Sequence, residues 1–353
     1  PSVGQFFAEL GATVIKVENA TTGGDVTRCW KLAGEQTDDR SAYFCAVNWG
    51  KKSVALDLTA KDHREVVHKL AAKADLVIAS YKPGDARKLG VDYETLSAFN
   101  PALVYGQVTG YGSDNPRVGY DAVIQAEAGF MFMNGEKHGP SLKMPVALVD
   151  ILAGHHLKEA ILLALLEKTR TGQGKLVEVS LIQSAIASLA NQGSNWLVAK
   201  RLPQKEGSSH PNIAPYGDVF ITRDGKEVLL AVGSDKQFSD LCAILGLSVL
   251  ATDEKFITNQ ARVTNRTDLN AALQRQVSRY DADDLLKKIH ASRIPAGVIQ
   301  NLMDVFAMKE AREMMLSAGG ITGVKSFVGN HDTSNIHPPP HLGEHTAEIL
   351  QGL

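Results

Sequence analysis

The chain has 353 residues, a net charge of −2, 44% hydrophobic residues and 22% charged residues. These values are typical of a soluble globular protein with two domains, and they give no indication of a nucleic-acid or membrane partner. The three cysteines, Cys29, Cys45 and Cys242, are odd in number and far apart, which predicts a reducing, cytoplasmic location without a disulfide scaffold.

The first half of the chain alternates β-branched, apolar runs with helical patterns. We predict strands at residues 13–18, 54–58, 75–79 and 103–109, and helices at residues 3–10 and 61–73. Strands and helices of these lengths in alternation indicate a parallel sheet covered by helices. Ligands bind such sheets beyond the carboxyl ends of the strands, so we expect the site to lie there.

The second half has a different pattern. A helical pattern runs from residue 181 to about residue 199, and the polar, Gly- and Pro-containing stretch 201–216 is typical of a linker. A β-hairpin at residues 219–222 and 227–232, helices at 236–245 and 266–290, and a last strand at 295–299 are predicted beyond it. This order indicates a smaller α+β domain.

Asp150 stands between an apolar run and the apolar helix predicted over residues 157–166. A carboxylate in this position is partly shielded from water, and the positive end of the helix dipole favours its ionised form. A poorly hydrated carboxylate at the mouth of a pocket can act as a nucleophile. The residues alone leave a second interpretation open, in which Asp150 only caps the helix.

The histidines of the tail predict no metal site, because they are spread without ligand-like spacing. These are His331, His337, His341 and His345.

Nine stretches occur in the order in which one known family carries similar stretches: residues 10–18, 24–28, 48–57, 74–78, 82–84, 96–101, 119–125, 170–174 and 342–346. Through them the chain resembles the class III coenzyme A transferases nearly from end to end. This family includes formyl-CoA transferase, the carnitine CoA-transferases and the succinyl-CoA:dicarboxylate CoA-transferases. Each stretch alone is weak, but nine in order are specific.

The resemblance implies that Asp150 is the catalytic nucleophile. Its carboxylate attacks an acyl-CoA to give a mixed anhydride, CoA returns to form an aspartyl-CoA thioester, and a carboxylic acid acceptor removes the CoA through a second anhydride. Coenzyme A and acyl-CoA are then substrates, and no prosthetic group is expected. Succinyl-CoA or a similar donor is expected, because residues 210–216 resemble the succinyl-CoA-using members and Ser80 replaces an Asn of formyl-CoA transferase.

By the same resemblance, six residues are expected to bind CoA or to line the active-site edge: Lys51, Lys52, Tyr81, Lys88, Tyr120 and Asp121. The lysines match positions that hold the phosphates, and the first tyrosine matches an aromatic position near the adenine. The last two residues match the edge of the active site. For each lysine, an ordinary solvated surface position is the alternative.

The resemblance also implies an architecture: a Rossmann-like parallel sheet in a large domain built from both chain ends, a smaller α+β domain, and an intertwined homodimer. The expected limits are 1–200 for the large domain, without the family's first strand, 201–216 for a linker, 217–310 for the small domain, and 311–353 for the return to the large domain.

Two alternative functions are open. An α-methylacyl-CoA racemase needs an acid/base pair, and racemases of this family carry His at the position of Tyr120, where tyrosine is a poor base near neutral pH. A non-catalytic acyl-CoA-binding protein of the same fold is the second alternative, and the presence of Asp150 argues against it.

Overall fold

A computed structural model describes all residues from Pro1 to Leu353. The strands are β1 (Val14–Asn19), β2 (Lys51–Leu56), β3 (Leu76–Ala79), β4 (Val104–Thr109), β5 (Leu176–Ser180), β6 (Tyr216–Ile221), β7 (Glu227–Ala231), β8 (Ala296–Val298), β9 (Met315–Ala318) and β10 (Ile321–Val324).

The α-helices are α1 (Ser2–Glu9), α2 (Ala42–Cys45), α3 (Lys61–Lys73), α4 (Asp85–Lys88), α5 (Tyr93–Ser97), α6 (Asp121–Glu127), α7 (Phe130–Met133), α8 (Leu148–Thr171), α9 (Leu181–Ala187), α10 (Ala190–Leu197), α11 (Asp235–Ile244), α12 (Asn259–Thr264), α13 (Arg266–Val277), α14 (Ala282–Ala291), α15 (Leu302–Ala307), α16 (Lys309–Glu313) and α17 (Thr346–Gln351). None of them combines the length and the apolar character needed to cross a lipid bilayer.

The chain forms two compact units. The large unit comprises residues 1–130, 143–198 and 309–353, and the small unit comprises residues 131–142 and 199–308. The mixed α/β class with parallel strands, predicted from the sequence, is confirmed. The domain limits predicted from the sequence stay a prediction.

The strands β1 to β5 of the large unit form parallel ladders. β1 pairs with β2, and β4 lies between β3 and β5. The long helix α8 packs on β4 and β5, and its side chains Leu157 and Ile161 are fully buried. Gly106 of β4 permits this close packing, because a Cβ atom there would lie 2.7 Å from Cδ1 of Ile161. The sheet therefore fixes the axis of α8.

The small unit is built on the antiparallel sheet β6–β7–β8, as its α+β pattern predicted. The hairpin between β6 and β7 turns at Gly225, whose φ of +77° suits glycine. Helices α11, α13 and α14 cover the sheet, and their buried members Phe238, Leu273 and Leu285 share one core with the strands. The predicted helix over residues 266–290 is in fact two helices, α13 and α14.

The C-terminal residues of the large unit return to its first two strands. The backbone N–H of Gly343 donates to Oγ of Ser53 at 2.9 Å, and the carbonyl of Pro340 accepts from Nη2 of Arg28 at 3.1 Å. Ser53 also donates to Glu18 at 2.6 Å. The tail is therefore part of the hydrogen-bond network around β1 and β2.

A largely buried ion pair joins β1 to the loop that follows it. Nζ of Lys16 lies 2.6 Å from Oδ2 of Asp25. Burial by itself would raise the pKa of Asp25, but the Lys16 ammonium and the Thr27 donors outweigh it and lower the pKa from 3.8 to about 2. A carboxyl with a lowered pKa stabilises the fold above its unfolded-state pKa, and this contribution is lost as the pH falls from 3.8 towards 2.

Asp25→Asn is therefore expected to weaken the acid dependence of stability. Between pH 5 and pH 3, Asp25 accounts for a loss on the order of 1 kcal/mol in the free energy of unfolding of the wild type, and the variant lacks this loss. Urea midpoints measured at both pH values test this, with Asp114→Asn as the exposed control. Equal pH slopes for wild type and Asp25→Asn would contradict the expectation.

Candidate active site

Asp150 lies in the first turn of α8. This helix begins at Leu148, before Asp150, and its N-cap residue is Ala147, whose side chain has no hydrogen-bond acceptor. The interpretation in which Asp150 only caps the helix is therefore wrong. The Asp150 residue is exposed to solvent, and a carboxylate in the first turn is favoured by the helix dipole.

The first turn of α8 is capped by a different segment. Asp121, the first residue of α6, accepts a hydrogen bond through Oδ1 from the backbone N–H of Val149 at 2.7 Å. Its other oxygen, Oδ2, accepts from Nε2 of Gln125 at 2.7 Å. The first N–H groups of a helix have no intrahelical partners, so the Asp121 carboxylate satisfies one of them. Asp121 thus fixes the residue that precedes Asp150.

Two glycines bring Asp121 to this place. Gly110 follows β4 directly, and Gly119 comes two residues before Asp121. A Cβ atom on Gly119 would lie 2.6 Å from Cα of Gly110, so the two backbones touch where no side chain fits. The exposed Tyr120 and the start of α6 therefore lie beside the carboxyl end of β4.

The electrostatics of the site follow from this geometry. Asp150 is exposed at the surface, but the protein atoms around its carboxylate partly desolvate it, which raises its pKa above the usual value of 3.8, and the negative charge of Asp121 raises the pKa further. Partial desolvation also raises the pKa of Tyr43, with smaller contributions from the charges of Asp150 and then Asp121. The phenol of Tyr43 therefore shares the environment of both carboxylates. A carboxylate with a raised pKa is more basic, and its ionised form is therefore more nucleophilic.

Lys51 is placed inside the large unit. Its Nζ donates to the carbonyls of Pro1 at 2.8 Å and Val47 at 2.7 Å, and to Oδ1 of Asn48 at 2.8 Å. Desolvation by burial lowers its pKa well below the usual value for lysine. Because an ammonium group has three donors and protein oxygens take all of them, we leave Lys51 out of the CoA-binding set that we propose below.

The other residues expected to contact CoA lie nearer the surface. Lys52 is half-buried and forms an ion pair with Glu348, and the exposed Lys88 lies 3.1 Å from Asp85. Tyr81 is partly buried against a hydrophobic cluster of the large unit. The buried members of this cluster are Ala71, Ala79, Val91, Leu96, Leu103 and Tyr105. Burial raises the pKa of Tyr81.

A group of two acids and a histidine, Asp38, Asp39 and His341, brings potential metal ligands within 4.8 Å of one another. Their oxygens already have protein partners. Arg40 binds both oxygens of Asp38, and Asp39 accepts from the backbone N–H of Leu342 and contacts His341. Because these oxygens already contact cationic and N–H groups of the protein, we interpret the group as a contact that holds the C-terminal tail and not as a cation site.

Sequence reasoning missed Tyr43 and Gln125. Tyr43 carries no motif, and only the fold brings its phenol near Asp150. Gln125 ends one of the nine matched stretches, but its role depends on hydrogen bonds to Asp121 and to the backbone of Met144, which lies 19 residues away.

The whole chain resembles proteins whose family is known. The family model described as CoA-transferase family III matches residues 1–346. This chain belongs to CoA-transferase family III. The resemblance inferred from the nine stretches is thereby confirmed, and so is the prediction that the protein is an enzyme, a CoA transferase. CoA transferases use CoA thioesters as substrates.

Curated relatives and solved structures agree with this membership. The chain is 37% identical to a succinate–glutarate CoA-transferase of Agrobacterium fabrum, covering 100% of this chain and 92% of the relative. It is 32% identical to succinyl-CoA:glutarate CoA-transferase of Homo sapiens, covering 97% and 80%. The crystal structure of a CAIB/BAIF family protein from Brucella suis superposes with a TM-score of 0.87 at 38% identity, covering 100% and 94% of the two chains.

Proposed function

We propose that this family III CoA transferase moves CoA from succinyl-CoA, or a similar short acyl-CoA, to a carboxylic acid acceptor, with Asp150 as the nucleophile. The observation that carries the proposal is the position of Asp150: it is an accessible carboxylate in the first turn of α8, and the capping hydrogen bond from the Val149 N–H goes to Asp121 instead. The Asp150 side chain therefore has no capping role and can act as the nucleophile. The activities for which the two relatives above are named support succinyl or glutaryl groups as the substrates.

The proposed reaction has four steps. The Asp150 carboxylate attacks the thioester carbonyl of the donor and expels CoA thiolate, leaving a mixed anhydride. The thiolate attacks the Asp150 carbonyl, forming an aspartyl-CoA thioester and releasing the donor acid. The acceptor carboxylate attacks that thioester and again expels CoA thiolate. The thiolate then attacks the acceptor carbonyl of the second anhydride, giving the new acyl-CoA and regenerating the Asp150 carboxylate.

The residues around Asp150 support this chemistry. The raised pKa of Asp150 makes its carboxylate a better nucleophile. The Asp121 charge also disfavours a second negative charge nearby, so conversion of the Asp150 carboxylate to an uncharged anhydride or thioester group relieves the repulsion between the two carboxylates. The exposed Tyr120 and Tyr43 carry phenol groups that can donate hydrogen bonds to a substrate oxygen.

We further propose that CoA contacts Lys52, Lys88 and Tyr81, with Tyr120 and Asp121 at the edge of the acyl site. The ammonium groups of Lys52 and Lys88 are accessible but paired with Glu348 and Asp85. An exposed ion pair contributes little stability, so a phosphate can replace the carboxylate partner at small cost. We also propose that the protein works as a homodimer, as the class III enzymes it resembles do.

Intact-protein mass spectrometry after incubation with succinyl-CoA tests the nucleophile. In the wild type, hydroxylamine is expected to cleave the aspartyl-CoA thioester and to leave a hydroxamate mass shift on Asp150. Asp150→Ala is expected to show no shift, because it has no carboxylate to acylate. A wild type without adduct across several acyl-CoAs would overturn the proposal. Exchange of the α-proton in deuterated water would then identify a racemase, and absence of exchange a protein that only binds acyl-CoA.

A further inference from the structure

Gln125 is a fully buried amide in α6, one helical turn after Asp121. Its Nε2 donates to Oδ2 of Asp121 at 2.7 Å, and its Oε1 accepts from the backbone N–H of Met144 at 2.9 Å. Burying an amide is costly unless both its donor and its acceptor are satisfied, and here both have partners in the protein. The two contacts connect α6 to the segment that leads into α8.

This segment is held at both of its ends. Gln125 binds it directly at Met144, and Asp121 binds it at Val149, immediately before Asp150. Because Gln125 also binds Asp121, a single amide side chain fixes both attachment points. The N-cap residue Ala147 offers no side-chain acceptor, so the start of α8 depends on this external network.

We propose that Gln125 is a positioning residue for the nucleophile: its amide orients the Asp121 carboxylate and the 144–149 segment so that the first turn of α8 presents Asp150 to the acyl-CoA carbonyl. This inference rests on the proposed role of Asp150. The amide suits this role, because its Nε2 donates to the Asp121 carboxylate while its separate Oε1 accepts from the Met144 backbone N–H. Gln125 itself touches no reacting atom.

The expected signature is a loss in kcat with little change in KM. A displacement of about 1 Å in a reacting group can cost about 100-fold in rate. Lys52, Lys88 and Tyr81, which we propose to contact CoA, make no hydrogen bond to Gln125 or to Asp121, so binding of the donor is expected to persist. A residue that only stabilises the fold would lower the melting temperature without this split.

The test compares two near-isosteric replacements of structural amides in the large unit. Gln125→Met removes both hydrogen bonds and keeps the length of the side chain. Asn100→Leu is the matched control: Nδ2 of Asn100 donates to the carbonyls of Ala71 at 3.1 Å and Ala74 at 2.8 Å, and its Oδ1 accepts from the N–H of Ala102. Both variants are assayed below their melting temperatures for kcat, for KM of succinyl-CoA, and for the rate of the hydroxylamine-dependent mass shift.

We expect Gln125→Met to lower kcat and the rate of adduct formation by about 10- to 100-fold, with KM within about threefold of the wild-type value. Asn100→Leu is expected to keep the wild-type kcat. A Gln125→Met protein with wild-type kcat and adduct rate would overturn this inference alone, provided that the wild type forms the adduct. Absence of the adduct in the wild type would overturn the proposed nucleophile as well, so the two failures are distinguishable.

Discussion

Replacement of Asp150 by asparagine is expected to lower the kcat of CoA transfer by about 10⁴-fold or more. Asparagine keeps the size of the side chain but lacks the carboxylate that forms both anhydrides and the thioester. Asp150→Glu keeps the carboxylate and moves it by one methylene, so we expect a loss on the order of 100-fold. The kcat values are measured with succinyl-CoA and a panel of short dicarboxylic acids.

Asp150→Asn is expected to leave the fold intact. The pKa of Asp150 is raised in the folded protein, so the ionised carboxylate opposes folding at pH values above its unfolded-state pKa. Asp150→Asn removes this opposition, and its melting temperature at pH 7 is expected to equal or exceed that of the wild type. Asp62→Asn, which changes an exposed aspartate in the first turn of α3, is the matched control and keeps wild-type kcat. Wild-type activity in Asp150→Asn would exclude the nucleophile.

Of the substitutions that we propose, Arg28→Leu is expected to cause the largest loss of stability, about 3–5 kcal/mol in the free energy of unfolding of the large unit. Nε and Nη2 of Arg28 donate to the two oxygens of Glu18 at 2.9 and 2.7 Å, and the exposed fractions of the two side chains are 3% and 1%. Removing the guanidinium leaves the Glu18 carboxylate buried without its charge partner. It also removes the hydrogen bond to the carbonyl of Pro340.

An exposed pair of the same geometry provides the control. Nε and Nη2 of Arg223 donate to Asp281 at 2.9 and 2.6 Å, but the exposed fractions of these side chains are 60% and 40%. Because water screens such a pair, Arg223→Leu is expected to change the urea midpoint little. The double variant Glu18→Leu/Arg28→Leu is expected to recover part of the loss, since no unpaired charge is then buried. Equal losses for Arg28→Leu and Arg223→Leu would refute this account of the buried pair.

The regular parts of the fold could be predicted from the sequence because their signals are local. The strand predicted at residues 103–109 matches β4, and the helix predicted at 61–73 matches α3, since β-branched runs and apolar periodicity require no knowledge of distant residues. The hairpin β9–β10 was not predicted. Its strands are only four residues long, and the glycines 319 and 320 at its turn do not stand between recognisable alternating patterns.

The candidate site was predictable only in part, for a related reason. Asp150 could be selected from its local position before an apolar helix, yet the cap that Asp121 provides to the first turn of α8 at Val149 depends on a contact across 28 residues. The burial of Lys51 could not be foreseen, because the oxygens that enclose its ammonium come from three separate residues. A lysine in a polar stretch resembles a surface residue until the fold closes around it.

The contact between the C-terminal tail and β2 limits how early the large unit can finish folding during synthesis. Ser53 accepts a hydrogen bond from Gly343 across 290 residues of sequence, so this contact cannot form until the ribosome has made those residues. At translation rates of about 5–20 residues per second, roughly 15–60 s separate the synthesis of Ser53 from that of Gly343. Residues 199–308 of the small unit are made during that interval, and they contain all three strands of the small unit's sheet. We therefore expect the small unit to complete its core first, and the nascent large unit to be the part that depends on chaperones.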